Sequence, residues 1–470
     1  MGKRFYLVCS LAFTVFASAA PAKDLGDILL KKGLITEEDL KQAREEDKQK
    51  AAAEESRRDA IVAKLPKWLD MITPFGDIRT REEGFYENNF HARNRFRLRA
   101  RVGLTANVTD EVAATVRLTS GDPNDPISTN QTFSNTFTRK PINLDWAYLT
   151  IKPGKSVGLE PGWITVYGGK FGLNVYRTSE LVWDDDVAPE GATETFNLWE
   201  RRTGFLRGVR LSGVEWVLDE LGADKDPWIG GGQAVADTAL GSVANWTVAF
   251  ADYNYINLNK VALNKFNQFN DPPTNSKSNV NFNSVLAGEN SNSLSTDANG
   301  KILGYKSGFN VINGASELNF PDPLGVGIPV GFFGDLAYNT QADGHNVGFY
   351  TGVGIGNAGK DWYHNGLKNQ GDWGASYTYL WVEKDAVPSI LTYSDITYNN
   401  KGATQGGGTN VAGHIVRFDY ELFNNFQLTA KVHFLNPLER SLATGNNGAA
   451  LKLIGDPTLV RTQLDAVLKF

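Results

Sequence analysis

The stretch Ala92–Leu104, ARNRFRLRARVGL, puts arginine at every second position: Arg93, Arg95, Arg97, Arg99 and Arg101. Asn94, Phe96, Leu98, Ala100 and Val102 lie between them. At 3.6 residues per turn a helix would spread these guanidinium groups around its circumference, whereas a strand sends successive side chains to opposite faces. The segment therefore reads as a strand with one apolar and one cationic face. In a soluble sandwich the cationic face would be the wet one, so the rest of the chain has to decide what lies on each side.

The last residues, TLVRTQLDAVLKF, have the same two-sided character. Phe470, Leu468, Ala466, Leu464, Thr462 and Val460 share one parity, and Lys469, Val467, Asp465, Gln463 and Arg461 the other. A chain that closes on an aromatic-terminated amphipathic strand resembles bacterial outer-membrane β-barrels. The resemblance implies that Phe470, Leu468 and Leu464 form an assembly signal read by the barrel-insertion machinery. The first residues resemble a secretory signal: Lys3 and Arg4, then FYLVCSLAFTVF, then the small residues ASAAPA, with cleavage after Ala22 or Ala19. The single cysteine, Cys9, falls inside this segment, so the mature chain is expected to use no disulfide.

Composition fits a barrel better than a helical membrane protein. The chain has 48 Gly, 26 Phe, 16 Tyr and 11 Trp, yet its mean hydropathy is −0.31. Transmembrane helices would need runs of about 20 apolar residues, and none follows the signal, whereas a barrel hides its membrane signal in alternation. The net charge of −6, or −8 without Lys3 and Arg4, excludes a basic nucleic-acid footprint.

Residues 23–73 read as a charged helical periplasmic segment. DLGDILLKKG ends on Gly33, and TEED opens a second helix with Thr36 as N-cap. Heptad positions counted from Leu40 (Ala43, Asp47, Ala51, Glu54) make a poor coiled-coil core. From residue 74 the chain reads as strands and turns: RNRFRLRARVGLTANV, VAATVRLTSG, INLDWAYLTIKP, GWITVYGGKFG, RGVRLSGVEW, VANWTVAFADYNYI, IPVGFFGDLAYN, HNVGFYTGVGIGN, DWGASYTYLWVEK, SDITYNN, AGHIVRFDYEL, FQLTAKVHFLN and the terminal strand. At roughly 25 residues per strand and connection, the remainder predicts an all-β transmembrane antiparallel barrel of about 16 strands. Trp146 and Tyr148, Trp163 and Tyr167, and Tyr377, Tyr379 and Trp381 are expected at headgroup level, with sandwich-core packing the alternative for any one of them.

One stretch is more specific. YGGKFGLNVYRTSELVWDDDVAPEGATETF (Tyr167 to Phe196), with GDIRTREEGFYENNFHARNRFRLRARVGL and RLTSGDP before it, resembles the Gram-negative outer-membrane barrels described as "putative porins". The resemblance implies a porin-type barrel embedded in outer-membrane lipid, open to small hydrophilic solutes, without naming one. It also implies a homotrimer, by analogy with trimeric general porins. If Phe96, Leu98, Ala100 and Val102 face lipid, the five arginines face the lumen as a pore wall. Each arginine on the lipid side at mid-membrane would cost about 2–4 kcal/mol, which fixes the register. By the same resemblance, Asp184, Asp185, Asp186 and Glu190 belong to an inward-folded constriction loop opposite arginines, with Arg201 and Arg202. Two other readings stay open for these acids: a plain solvated loop or helix cap, or a Ca²⁺ site with oxygen ligands.

No cofactor or resident metal is expected, and an enzyme reading finds no support. His91, His345, His364, His414 and His433 are dispersed without metal-ligand spacing, and neither a nucleophile elbow nor a phosphate loop is present. Two functional classes remain: a passive diffusion channel, or a structural protein tethering the membrane to the cell wall or to partners through its N-terminal helices. Arginines left unpaired in the lumen would favour the first, because a tether has no use for them.

Overall fold

The structure is a computed structural model that describes residues 36–39, 41–42, 45, 67–87, 92–134, 136–201, 203–222, 224–261, 291–296, 298, 302–359, 367–396, 408–439, 441–443, 450–452 and 458–470. The chain divides into two units, Met1–Ile72 and Thr73–Phe470. The signal segment and nearly all of the helical segment lie outside the described residues. Within the first unit, Asp39 N donates to Thr36 Oγ1 and Thr36 N donates to Asp39 Oδ2, a reciprocal cap at the expected helix start. The Thr36 hydroxyl and amide hold the Asp39 carboxyl below its usual range. Among the described residues no helix is long and apolar enough to cross a membrane.

The second unit is a single antiparallel sheet closed on itself. Its strands are β1 (Ile72–Glu87), β2 (Arg93–Asn107), β3 (Val112–Ser120), β4 (Ile142–Ile151), β5 (Ile164–Lys170), β6 (Glu190–Glu200), β7 (Leu206–Val217) and β8 (Trp228–Leu240). Then follow β9 (Ala244–Ile256), β10 (Phe309–Phe320), β11 (Val330–Asn339), β12 (Val347–Gly356), β13 (Trp373–Val382), β14 (Val411–Phe423), β15 (Phe426–Pro437) and β16 (Leu459–Lys469). Each strand pairs with the next, and β16 pairs with β1 from Asp77↔Lys469 to Glu87↔Leu459. Closure leaves no edge strand, so every ladder N–H and C=O can be satisfied without water. The last residue completes the ring: Gly76 N donates to Phe470 O at 2.9 Å and Phe470 N to Gly76 O at 3.1 Å.

Parity sorts the two faces. On β2, Phe96, Val102 and Leu104 are exposed outward while Arg95 and Arg97 are buried inward, as the register argument requires. On β16, Leu464 and Leu468 face outward and Arg461, Gln463 and Asp465 inward. The outer face is uneven, however. β2–β4 present Phe96, Leu104, Leu118 and Leu144, whereas β6–β9 present Glu194, Glu215, Gly230, Gly232 and the exposed Asp252.

Several expectations need correction. SDITYNN is not a strand: its described part, Ser394–Ile396, is a 3-10 turn in the connection between β13 and β14. Trp146, Tyr148 and Tyr167 are not headgroup anchors. They point inward and form a tilted and edge-on ring cluster with one another and with Phe75 and Phe171, at centroid distances of 6.0–6.3 Å, because a bulge opposite Arg117–Leu118 turns both Asp145 and Trp146 toward the interior. Tyr377 and Tyr379 do face outward, where the Tyr377 hydroxyl meets His414 Nδ1 at 2.7 Å.

Candidate functional site

The connection between β5 and β6 (residues 171–189) does not rise away from the barrel. It folds inside, because it carries its own apolar core: Phe171, Val175, Leu181, Val182, Trp183 and Val187 are all buried. Trp183 sits in an aromatic nest, 5.1 Å from Trp216 on β7 and 5.2 Å from Tyr253 on β9. Polar anchors fix the adjoining residues. Tyr176 N donates to Gln233 Oε1 at 2.7 Å, and the Tyr176 hydroxyl to Glu317 at 3.0 Å. Ser179 Oγ donates to Asp335 at 2.6 Å.

A second inward segment, between β13 and β14, packs on the first. Thr392 Oγ1 donates to Leu181 O at 2.7 Å, and Asp184 N to Leu391 O at 2.8 Å. A third, after β3, lays Ser128–Asn130 against β2.

The WDDD string is thus divided among four jobs. Trp183 anchors the loop. The buried Asp184 carboxylate accepts the Ser394 amide at 2.8 Å and the Asp186 amide at 2.8 Å, tying the two loops together. Asp185 pairs with Arg177 at 3.2 Å. Asp186 accepts Thr129 N at 3.0 Å and reaches Arg101 at 3.5 Å and Arg99 at 3.9 Å. The three carboxylates therefore diverge, which does not suit a shared Ca²⁺.

Two of the acidic-loop expectations are not met by the geometry. Glu190 opens β6, exposed, and pairs with Lys170 at 2.9 Å. Arg201 lies just beyond the end of β6 that is farther from the loop in the chain, over the Trp199 ring at 3.9 Å, and forms no ion pair with Asp184–Asp186 among the described residues. Arg202 lies outside the described residues.

The arginine ladder faces the interior, but it is not an open wall of free cations. Arg99 and Arg101 both bind Asp77, at 2.8 and 2.6 Å. Arg95 binds Glu83, which Arg461 also holds, with its Nε at 2.9 Å. Arg81 grips Asp465 with two nitrogens, at 2.7 and 2.8 Å, and reaches Asp395 at 3.2 Å. Arg461 also donates to Asp395 at 2.6 Å. Arg97, 3% exposed, donates to Ser128 Oγ at 3.2 Å, and Arg93 is half-buried near Phe85 at 5.8 Å. For Arg95, Arg99 and Arg101 the expectation of unpaired lumen arginines is thereby corrected. Buried charges need partners, and acids from β1, β16 and the loops supply them.

Between the first loop and the wall opposite, a cavity of about 100 Å³ remains. Glu180 and Asp185 of the loop line one side, Arg417 of β14 and Lys431 of β15 another, with Phe333 of β11 and Tyr350 of β12 between. Reading the sequence missed Glu180, Arg417 and Lys431. The inward parity of Lys431 and His433 in FQLTAKVHFLN was the available signal for the wall residue.

A family model described as "Putative porin" matches residues 85–436. No curated protein matches the sequence. Among solved structures, OprB of Pseudomonas putida at low pH has a TM-score of 0.46 at 8% identity, covering 86% of this chain and 94% of that one. The anion-selective porin from Comamonas acidovorans has a TM-score of 0.43 at 9% identity, covering 85% and 99%. The trimer form of OmpT from Vibrio cholerae has a TM-score of 0.40 at 9% identity, covering 85% and 99%.

Proposed function

The chain belongs to the family described as "Putative porin", an integral outer-membrane β-barrel channel, and from that premise we propose that it passes small hydrophilic solutes by passive diffusion. The constriction in this reading is the inward loop 171–189, facing the wall formed by β11–β15. One observation carries the proposal. The loop is anchored at both sides of the barrel interior, by Ser179 on Asp335 and by Asp186 near Arg101, and a charged cavity lies between it and the residues of β11–β15. A passage narrowed by fixed charges of both signs within low-dielectric walls orders water and favours polar solutes over apolar ones.

The arginine ladder takes a different part from a bare pore wall. Its guanidinium groups hold two of the inward segments through Asp186 and Ser128, and Arg81 and Arg461 beside it hold the third through Asp395. The uneven outer face supports a homotrimer in which the β6–β9 sector meets a neighbouring subunit, since Glu215 and Asp252 would otherwise face lipid chains. Export by a signal cleaved after Ala22, and recognition of Phe470, Leu468 and Leu464 by the insertion machinery, complete the reading. The tethering alternative rests on residues 23–66, almost all of which lie outside the described residues.

The test is conductance of the purified, folded protein in a planar bilayer under a KCl gradient. Stable unitary steps are expected. Folded protein that inserts and stays electrically silent would overturn the proposal.

A further inference from the structure

Inside this barrel cations and acids are tied to one another almost everywhere. Around the cavity, Arg417 holds Asp419 at 2.7 Å, Arg177 holds Asp185 at 3.2 Å, and Asp395 is shared by Arg81 and Arg461. Glu180 and Lys431 break the pattern. They line the same cavity, yet among the described residues neither has an ion-pair partner within 4.0 Å. The Glu180 carboxylate accepts the Asp185 amide at 3.0 Å. The Lys431 ammonium meets the Tyr393 hydroxyl at 3.4 Å. A carboxylate and an ammonium thus line one small cavity, each feeling the other's field, but among the described residues neither is closed off in a direct ion pair, so each can still contact a bound group of opposite charge.

We propose that this cavity is a binding site for a small zwitterion of the α-amino-acid type, and the proposal rests on the channel reading above. The ligand's carboxylate meets Lys431, with Arg417 beside it, and its ammonium meets Glu180. Its side chain lies on the buried rings of Phe333 and Tyr350. Three physical points favour this class. The cavity of about 100 Å³ matches a ligand the size of glycine or alanine. A simple anion would satisfy Lys431 and be repelled by Glu180, and a simple cation would do the reverse. A zwitterion satisfies both and brings no net charge into a low-dielectric interior. Few convergent polar groups set in an apolar wall are also the general make-up of a small-molecule site.

Isothermal titration of the folded, detergent-purified protein with L-alanine tests this directly. Saturable binding is expected, with propionate and ethylammonium each about tenfold weaker or worse, since each forfeits a charge-assisted contact. Lys431→Met and Glu180→Gln should each weaken L-alanine by a similar factor, with folding checked by heat-modifiable gel migration. The ligand series on the wild-type protein stands even if a variant misfolds. Absence of saturable L-alanine binding, or propionate binding as tightly as L-alanine, would overturn the proposal. The two readings separate cleanly: conductance without binding removes the zwitterion site and leaves the channel, whereas binding by a non-conducting protein removes the channel and leaves the site.

Discussion

At the scale of single residues, the interior is governed by the cost of an unmatched buried charge. Glu83 is fully buried and accepts from Arg95, Arg461 and Gln463 at once. Glu83→Gln keeps the shape but leaves Arg95 without its anion and Arg461 with Asp395 alone, a loss of about 3–5 kcal/mol by analogy with broken buried pairs. Urea unfolding followed by tryptophan fluorescence should show a clearly lowered midpoint. The exposed pair Lys155–Asp110, at 3.6 Å, provides the contrast: Lys155→Ala should change stability by less than about 1 kcal/mol. Equal effects from the two substitutions would mean that the interior network is solvated like a surface.

At the scale of elements, alternation was the legible signal, and its limits are physical. β2, β3, β14 and β16 can be read directly because most outward positions are apolar or small and the charges cluster at inward ones, such as Arg95 and Arg97, Arg117, Arg417 and Asp419, and Arg461 and Asp465. β6, β8 and β10 went unread because their outward positions carry Ala192 and Glu194, Gly230 and Gly232, or Gly314 and Ser316 in place of an apolar stripe. SDITYNN alternates, yet its Asp395 is drawn into the barrel by Arg81 and Arg461. The parity of the arginines could be read in the same way, but their partners could not. Asp465, for instance, pairs with Arg81 from 384 residues away in the chain, and no local pattern records which strand closes on which.

Two elements carry predictions of their own. A Cβ at Gly76 would lie 2.3 Å from Arg101 O and 2.8 Å from the Phe470 ring, so Gly76→Val should cost about 1–3 kcal/mol by overpacking and lower the yield of heat-modifiable folded barrel. Trp183→Ala empties the nest formed by Trp216 and Tyr253, with about 3–5 kcal/mol lost. The loosened loop should raise unitary conductance and open-channel noise, and unchanged noise would contradict the loop's place as the constriction.

At the scale of the whole molecule, the barrel is a wall and, in the proposed channel, the three inward segments set how much of its interior stays open. On one side the arginine ladder, Asp186 and Ser128–Asn130 interlock into a solid strut. On the other, the cavity lined by Glu180 and Lys431 is the passage in the proposed channel. The chain's one cysteine, Cys9, lies in the expected signal segment, so single cysteines can map this division without background. The most direct measurement is block of channel current by a charged thiol reagent in two variants. Thr378→Cys places the thiol on the cavity wall. Ser120→Cys places it in the strut, where Ser120 is 1% exposed and bonded to Ala100 N and Thr129 O. The account predicts rapid block through Thr378→Cys and none through Ser120→Cys; block through Ser120→Cys with Thr378→Cys unaffected would place the open path along the arginines and contradict it.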